Sequence, residues 1–293
     1  MRYIAFIFLF LCVIQFNTKG QNKLLEYKNI IIVSDLSSRL NYLPNKDLTI
    51  INDKLNYFRN YCVQPGKKIG DRSSIFFSTF SNGPIISIDL EEYDKLGIAA
   101  KQNFINSNGD YKGKGLDSQI NAFKNKVNIQ YKSIKNPGLD LISLIHDKIQ
   151  TESNFKIKTT KKNQSGNNST TIIFQNHIYI LTDGYLEFIT KNASREFYFG
   201  SKEIQKIRNY CKSFNLNVSS TLTRMPSLGL PKVYNPKNQY INLHILETHE
   251  RDKDLKSQTY KNPLGLRDNE ILEAVWRKWA IESGFKSFEW NKY

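Results

Sequence analysis

Two aspartates each stand at the end of an apolar run, and paired carboxylates can do chemistry that neither does alone. In Asn29 to Leu40, NIIIVSDLSSRL, the apolar run Ile30 to Val33 leads into Ser34 and Asp35, and in Ile178 to Gly184, IYILTDG, an apolar run leads into Thr182, Asp183 and Gly184. Runs of this kind are strands buried on both faces, and in an open α/β sheet ligands are met at the carboxyl ends of the strands. If the two strands lie side by side, the carboxylates share one edge and repel each other unless a cation or a proton relieves them. Three arrangements relieve them. A magnesium ion in an oxygen shell can take both carboxylates. A permanently charged guanidinium, for which Arg39 is the candidate, can fork onto the carboxylates in place of a metal. Each aspartate can also simply cap a turn or the helix after it. Thr182 is a further oxygen at the end of the same strand.

Other chemistry-bearing residues carry less. His244, Glu247, His249 and Glu250 are close in sequence, but on a strand the two histidines face opposite sides, which spoils a shared metal site. Gly66 to Ser73, GKKIGDRS, lacks the Gly-Lys-Ser/Thr ending of a phosphate-binding loop, and no Gly-x-Ser-x-Gly elbow occurs. Without a nucleophile and base pair, the residues favour binding over covalent catalysis.

The elements that must position the aspartates follow from hydrophobic periodicity. A helix is expected over Asn45 to Tyr61, and a hairpin from Ser74 to Phe80 and Ile85 to Leu90. Asp94 to Gly115 is expected to be mostly loop with a short helical piece. Helices follow over Leu116 to Ile134, Leu139 to Thr151 and Ser201 to Phe214. Tyr240 to Leu246 is the next strand, Asn269 to Ser283 the last helix, and Phe285 to Trp290 an edge strand. The order predicts one doubly wound α/β domain over residues 21–293, with a mostly parallel sheet and one antiparallel edge hairpin strand. Right-handed crossovers then place Cys62 and Cys211 on opposite faces of the sheet, where they cannot form a disulfide.

A first strand ending in Asp35-Leu36-Ser37, a hairpin, and a later strand ending in Leu181-Thr182-Asp183-Gly184 resemble a von Willebrand factor type A domain, from Lys28 to roughly Ile245. The resemblance implies a metal-ion-dependent adhesion site, onto which Asp35, Ser37 and Asp183 map. Arg39 stands where that pattern has its second serine. Leu139, in Pro137-Gly138-Leu139-Asp140-Leu141, stands where it has a threonine; Ser38 and Asp140 are nearby oxygens, neither at the matching position, and the implied site would hold magnesium weakly through two carboxylates and the Ser37 hydroxyl. The implied function is macromolecular binding through the loops at the carboxyl edge. A magnesium-dependent hydrolase such as a phosphoesterase, using Asp35 and Asp183, is the alternative from another class.

Met1 to Gly20 has the form of a secretory leader: Arg2, an apolar run from Ile4 to Phe16, then Thr18 and Gly20 before a cut at Gln21. An uncleaved anchor is the other reading, and the expected address is secreted or periplasmic, with no membrane span in the mature chain. Cleavage removes Arg2 and Lys19, which lowers the formal charge from +15 to +13. Such a charge favours anionic partners, yet the lysines are spread along the chain. Only Lys156, Lys158, Lys161 and Lys162 cluster, inside a polar stretch from Phe155 to Thr170 expected to be a mobile surface loop. A nucleic-acid or glycan binder working through that loop is the third reading.

Overall fold

The run of β-branched residues at Ile30 to Val33 makes β1 (Asn22–Ser34) a strand that both faces of a sheet must bury, and the chain supplies a core for each. Ile30 and Ile32 face one core with Ile75, Phe77, Ile86, Ile88, Leu55 and Phe58. Ile31 and Val33 face the other with Ile178, Ile180, Leu243, Ile245, Trp276 and Trp279. The computed structural model describes residues 22–36, 44–63, 71–79, 85–133, 142, 145, 156–165, 168–187, 197–254, 256–262 and 266–293. They fall into two compact units, a small one holding residues 22–26 and 159–174 and a large one holding the rest.

In the large unit, α1 (Pro44–Tyr57), which continues as a π-helical turn over Phe58–Cys62, leads from β1 to β2 (Ser74–Thr79). β3 (Ile86–Asp89), α2 (Ile98–Asn106) and α3 (Leu116–Ser133) follow. β5 (Asn168–Thr182) enters the unit at its carboxyl half. Then come α4 (Ser201–Phe214), α5 (Val218–Arg224), β6 (Ile241–Glu247), α6 (Asp268–Glu282) and β7 (Ser287–Lys292). The strand order is β3-β2-β1-β5-β6-β7. β2 runs parallel to β1, and β6 is parallel to β5 and to β7; β3 is the expected antiparallel edge strand on β2. This is a doubly wound α/β fold, with β7 as the expected edge strand.

Cys62 lies in the core lined by α1 to α3 and Cys211 in the core lined by α4 to α6, so no disulfide joins them. A buried polar network pins the register. Asn29 Nδ2 donates to Asn176 Oδ1 at 2.7 Å, and Ser74 Oγ donates to Asn29 Oδ1 at 2.7 Å, tying β5, β1 and β2 together. Unpaired, such amides would cost on the order of 1–3 kcal/mol each, which makes any slipped register expensive.

Several expectations are corrected. Lys161–Ser165 forms β4, which pairs antiparallel with the start of β5 in the small unit, so Lys161 to Ser165 and Asn168 to Thr170 are paired strands, against the expected loop. The β-branched Thr170, Thr171 and Ile172 favour that extension, whereas the lysines on β4 point to solvent. The segment after Asp94 holds α2 between 3-10 turns at Leu90–Leu96 and Gly109–Tyr111. There Lys101, almost fully buried, pairs with Asp94. Of the expected helix over Leu139 to Thr151, only the core residues Ile142 and Ile145 are described. No helix among the described residues is long and apolar enough to cross a membrane.

Candidate functional site

The carboxyl edge of the sheet is built from the ends of β1, β5, β6 and β7. Asp35 follows β1, and its backbone N–H donates to the Leu181 carbonyl at 3.0 Å, which fixes the first aspartate beside the end of β5. Ser34 Oγ donates to Asp47 Oδ2 in the first turn of α1 at 3.1 Å, and Tyr131 of α3 donates to the same carboxylate at 2.9 Å. The end of β1 is therefore clamped to the helices beside it.

At the end of β5, Thr182 Oγ1 donates to Asp35 Oδ2 at 3.4 Å and accepts the Gly184 N–H at 3.1 Å. Asp35, Thr182 and Asp183 thus meet, as their positions at strand ends require. Gly184 turns the chain with φ +85°, and its carbonyl accepts Trp276 Nε1 at 2.8 Å. A Cβ at this position would stand 2.5 Å from Trp290 Cη2, so both conformation and space demand glycine.

Asp183 is 1% exposed and both its oxygens are used. Oδ1 accepts the Tyr185 N–H at 3.1 Å, and Oδ2 accepts Arg251 Nε at 2.6 Å. Arg251 Nη1 donates to Glu187 Oε2 at 2.5 Å, and the guanidinium lies 4.2 Å from the centre of the Tyr185 ring. Burial works against the charge on Arg251, but Asp183 and Glu187 outweigh it and hold the guanidinium above its ordinary pKa. Tyr185 donates to Asp268 Oδ2 at 2.6 Å, and Asp268 also pairs with Arg208. Burial first, and then that bond to Asp268, raise the Tyr185 phenol far above its ordinary value.

Next along the edge, Glu247 ends β6 in register with Thr182 on one side and Lys292 on the other. It is 2% exposed and accepts Trp290 Nε1 at 3.0 Å. Burial pushes its carboxyl up to about 7, against the opposing pull of the Trp290 bond and Lys292.

Magnesium, which the resemblance implies, does not fit Asp183 as it stands. Both carboxylate oxygens already accept hydrogen bonds, and one donor is the Arg251 guanidinium, a fixed positive charge that repels a metal cation at short range. Among the described residues, no three His, Cys, Asp or Glu side chains are grouped to ligate a metal. Ser37, Ser38, Arg39 and Asp140 lie outside the described residues. The basic cluster is divided. Lys158 is buried and pairs with Asp89 at 2.7 Å and Glu91 at 3.4 Å, and Lys156 pairs with Glu92 at 2.7 Å. Lys161 and Lys162 stand on β4. His244 Nδ1 donates to Glu289 Oε2 at 2.9 Å, and its Nε2 lies 2.9 Å from His177 Nδ1 within the sheet, apart from His249 beyond the strand.

Arg251, Glu247 and Lys292 are site residues that sequence reasoning did not select. For Glu247 and Arg251 the signal is the charged run Glu247 to Asp252, ETHERD, at the end of an apolar strand and so at the same edge as the aspartates. Comparison with models of known protein families and with curated proteins finds no match.

Proposed function

We propose that this chain is a non-catalytic, exported binding module, similar to von Willebrand factor type A domains, that engages another protein through the loops at the carboxyl edge of its sheet. The observation that carries this reading is the 2.6 Å pair of Arg251 with Asp183. It sets a fixed positive charge against the second aspartate in competition with any metal, while the Arg251 side chain stays 34% exposed and presents that charge to whatever docks. The hydrolase alternative needs Asp183 open, and a nucleic-acid site at the basic cluster needs Lys156 and Lys158 unmatched by acids. Neither condition accords with the geometry. The export address rests on the leader-like Met1 to Gly20.

The test is capture of a partner from the protein's own cell envelope by immobilised mature chain, with and without a chelator, alongside calorimetric titration with magnesium. Capture is expected to be indifferent to the chelator. The wild type should take up little magnesium, and Arg251→Ala, which uncovers Asp183 Oδ2, should take up more. Capture that the chelator abolishes, or magnesium-dependent phosphoester hydrolysis by the wild type, would refute the reading.

A further inference from the structure

Beside the aspartates, at the carboxyl ends of β6 and β7, lies a cavity of about 100 Å³ lined by Lys46, Glu247, Thr248, His249, Glu250, Lys253, Lys292 and Tyr293. We infer that this cavity takes a carboxylate, offered by an acidic side chain of the bound protein, between the ammonium groups of Lys46, Lys253 and Lys292. The inference rests on the reading of this edge as a binding surface and names the chemistry that the surface recognises.

Size, charge and donors agree. At roughly 30 Å³ per water the cavity has room for about three waters, which is the scale of one carboxylate and the carbon carrying it. Three lysines face two acids; Lys292 spends one N–H on Glu250 at 3.0 Å and Lys46 one on the Tyr293 carbonyl, and each ammonium keeps further donors for a ligand. Glu250 is held by its own donors: Tyr260 Oη gives to Oε2 at 3.0 Å, while Lys292 Nζ, at 3.0 Å, and Asn269 give to Oε1. Glu247 is buried and accepts Trp290 Nε1, with Lys292 and Tyr293 at the end of β7, His249, Glu250, Asp252 and Lys253 on the following loop and Lys46 on α1 around it. Because burial pushes its carboxyl up to about 7, it is half protonated at neutral pH and then serves as a hydrogen-bond donor to an incoming anion. Lys46 and Lys292 are exposed, so the cavity opens to solvent and a side chain can enter from outside. A carboxylate flanked by ammonium groups and a neutral carboxyl gains charge-assisted hydrogen bonds, which are roughly twice as strong as neutral ones.

The probe is acetate, followed by the indole N–H resonance of Trp290, which reports on Glu247 through their bond. A saturable shift is expected in the millimolar range, the scale of a weak single-group contact. Since the protonated Glu247 is the competent form, affinity should fall about tenfold from pH 6 to pH 8. Glu247→Gln, a neutral donor at every pH, should erase that pH dependence while still binding. Lys253→Gln, with folding checked by its thermal melt, should weaken acetate several-fold, and Lys46→Gln with Lys292→Gln should add to the loss. No saturable shift, or binding untouched by all three lysine substitutions, would overturn the inference. So would inorganic phosphate binding more than about tenfold tighter than acetate, since that preference belongs to a phosphate site. If acetate fails while chelator-indifferent capture persists, the cavity inference falls and the edge reading stands. If the chelator abolishes capture, the edge reading falls whatever acetate does.

Discussion

Glu247→Gln should stabilise the protein at alkaline pH and leave it nearly unchanged in acid. The Glu247 carboxyl is raised from 4.5 to about 7 in the folded chain, chiefly by burial. The folded state therefore binds its proton more tightly than the unfolded state does. Stability contributed by that proton is fully present below about pH 4.5 and is lost as pH rises through 7. Each tenfold difference in proton affinity is worth about 1.4 kcal/mol, so the rise converts to about 3 kcal/mol of folding free energy missing at pH 8. Glutamine keeps the acceptor for Trp290 Nε1 and cannot ionise, so it escapes this loss. Urea denaturation of both proteins at pH 4.5, 6 and 8 measures it: the variant should lead by about 3 kcal/mol at pH 8 and by little at pH 4.5. A gap that does not change with pH, or a variant less stable than the wild type at pH 8, would refute the account of Glu247 as a carboxyl made costly to ionise by burial.

Two other changes follow from the same sheet. Gly184→Ala forces a left-handed φ on a residue with a side chain and drives its Cβ to 2.5 Å from the Trp290 ring, so thermal or urea denaturation should show a loss of about 2–4 kcal/mol. His177 is lowered to about 4, first by burial and then by His244, Lys28, Lys54 and Lys286. The unfolded chain thus takes up its proton first as pH falls from 6.5 to 4, which destabilises the fold over that window. His177→Gln should flatten the acid limb by on the order of 1–2 kcal/mol after allowing for solvent screening, as read from denaturation midpoints at pH 7 and 5. Between pH 4.5 and 6.5 the Glu247 and His177 effects have opposite signs, so the single variants should separate what the wild-type profile blends.

The sequence by itself determined the strands and what stands at their ends. A continuous β-branched run such as Ile30 to Val33 has one favourable home, the middle of a sheet covered on both faces. Parallel winding then puts Asp35 and Asp183 on one edge. The separation of Cys62 from Cys211 was legible for the same reason, because the crossovers after β1 and after β5 go to different faces. What the tertiary structure alone decided is which charges meet. Arg251 lies 68 residues from Asp183 and Lys158 lies 69 from Asp89, and no local period links either pair. Hydrophobic patterning follows from short-range geometry, because a side chain's face is set by its neighbours along the chain. Charge pairing and the raised carboxyl of Glu247 depend instead on desolvation and on distances of about 3 Å between segments remote in sequence, which exist only after the sheet has closed.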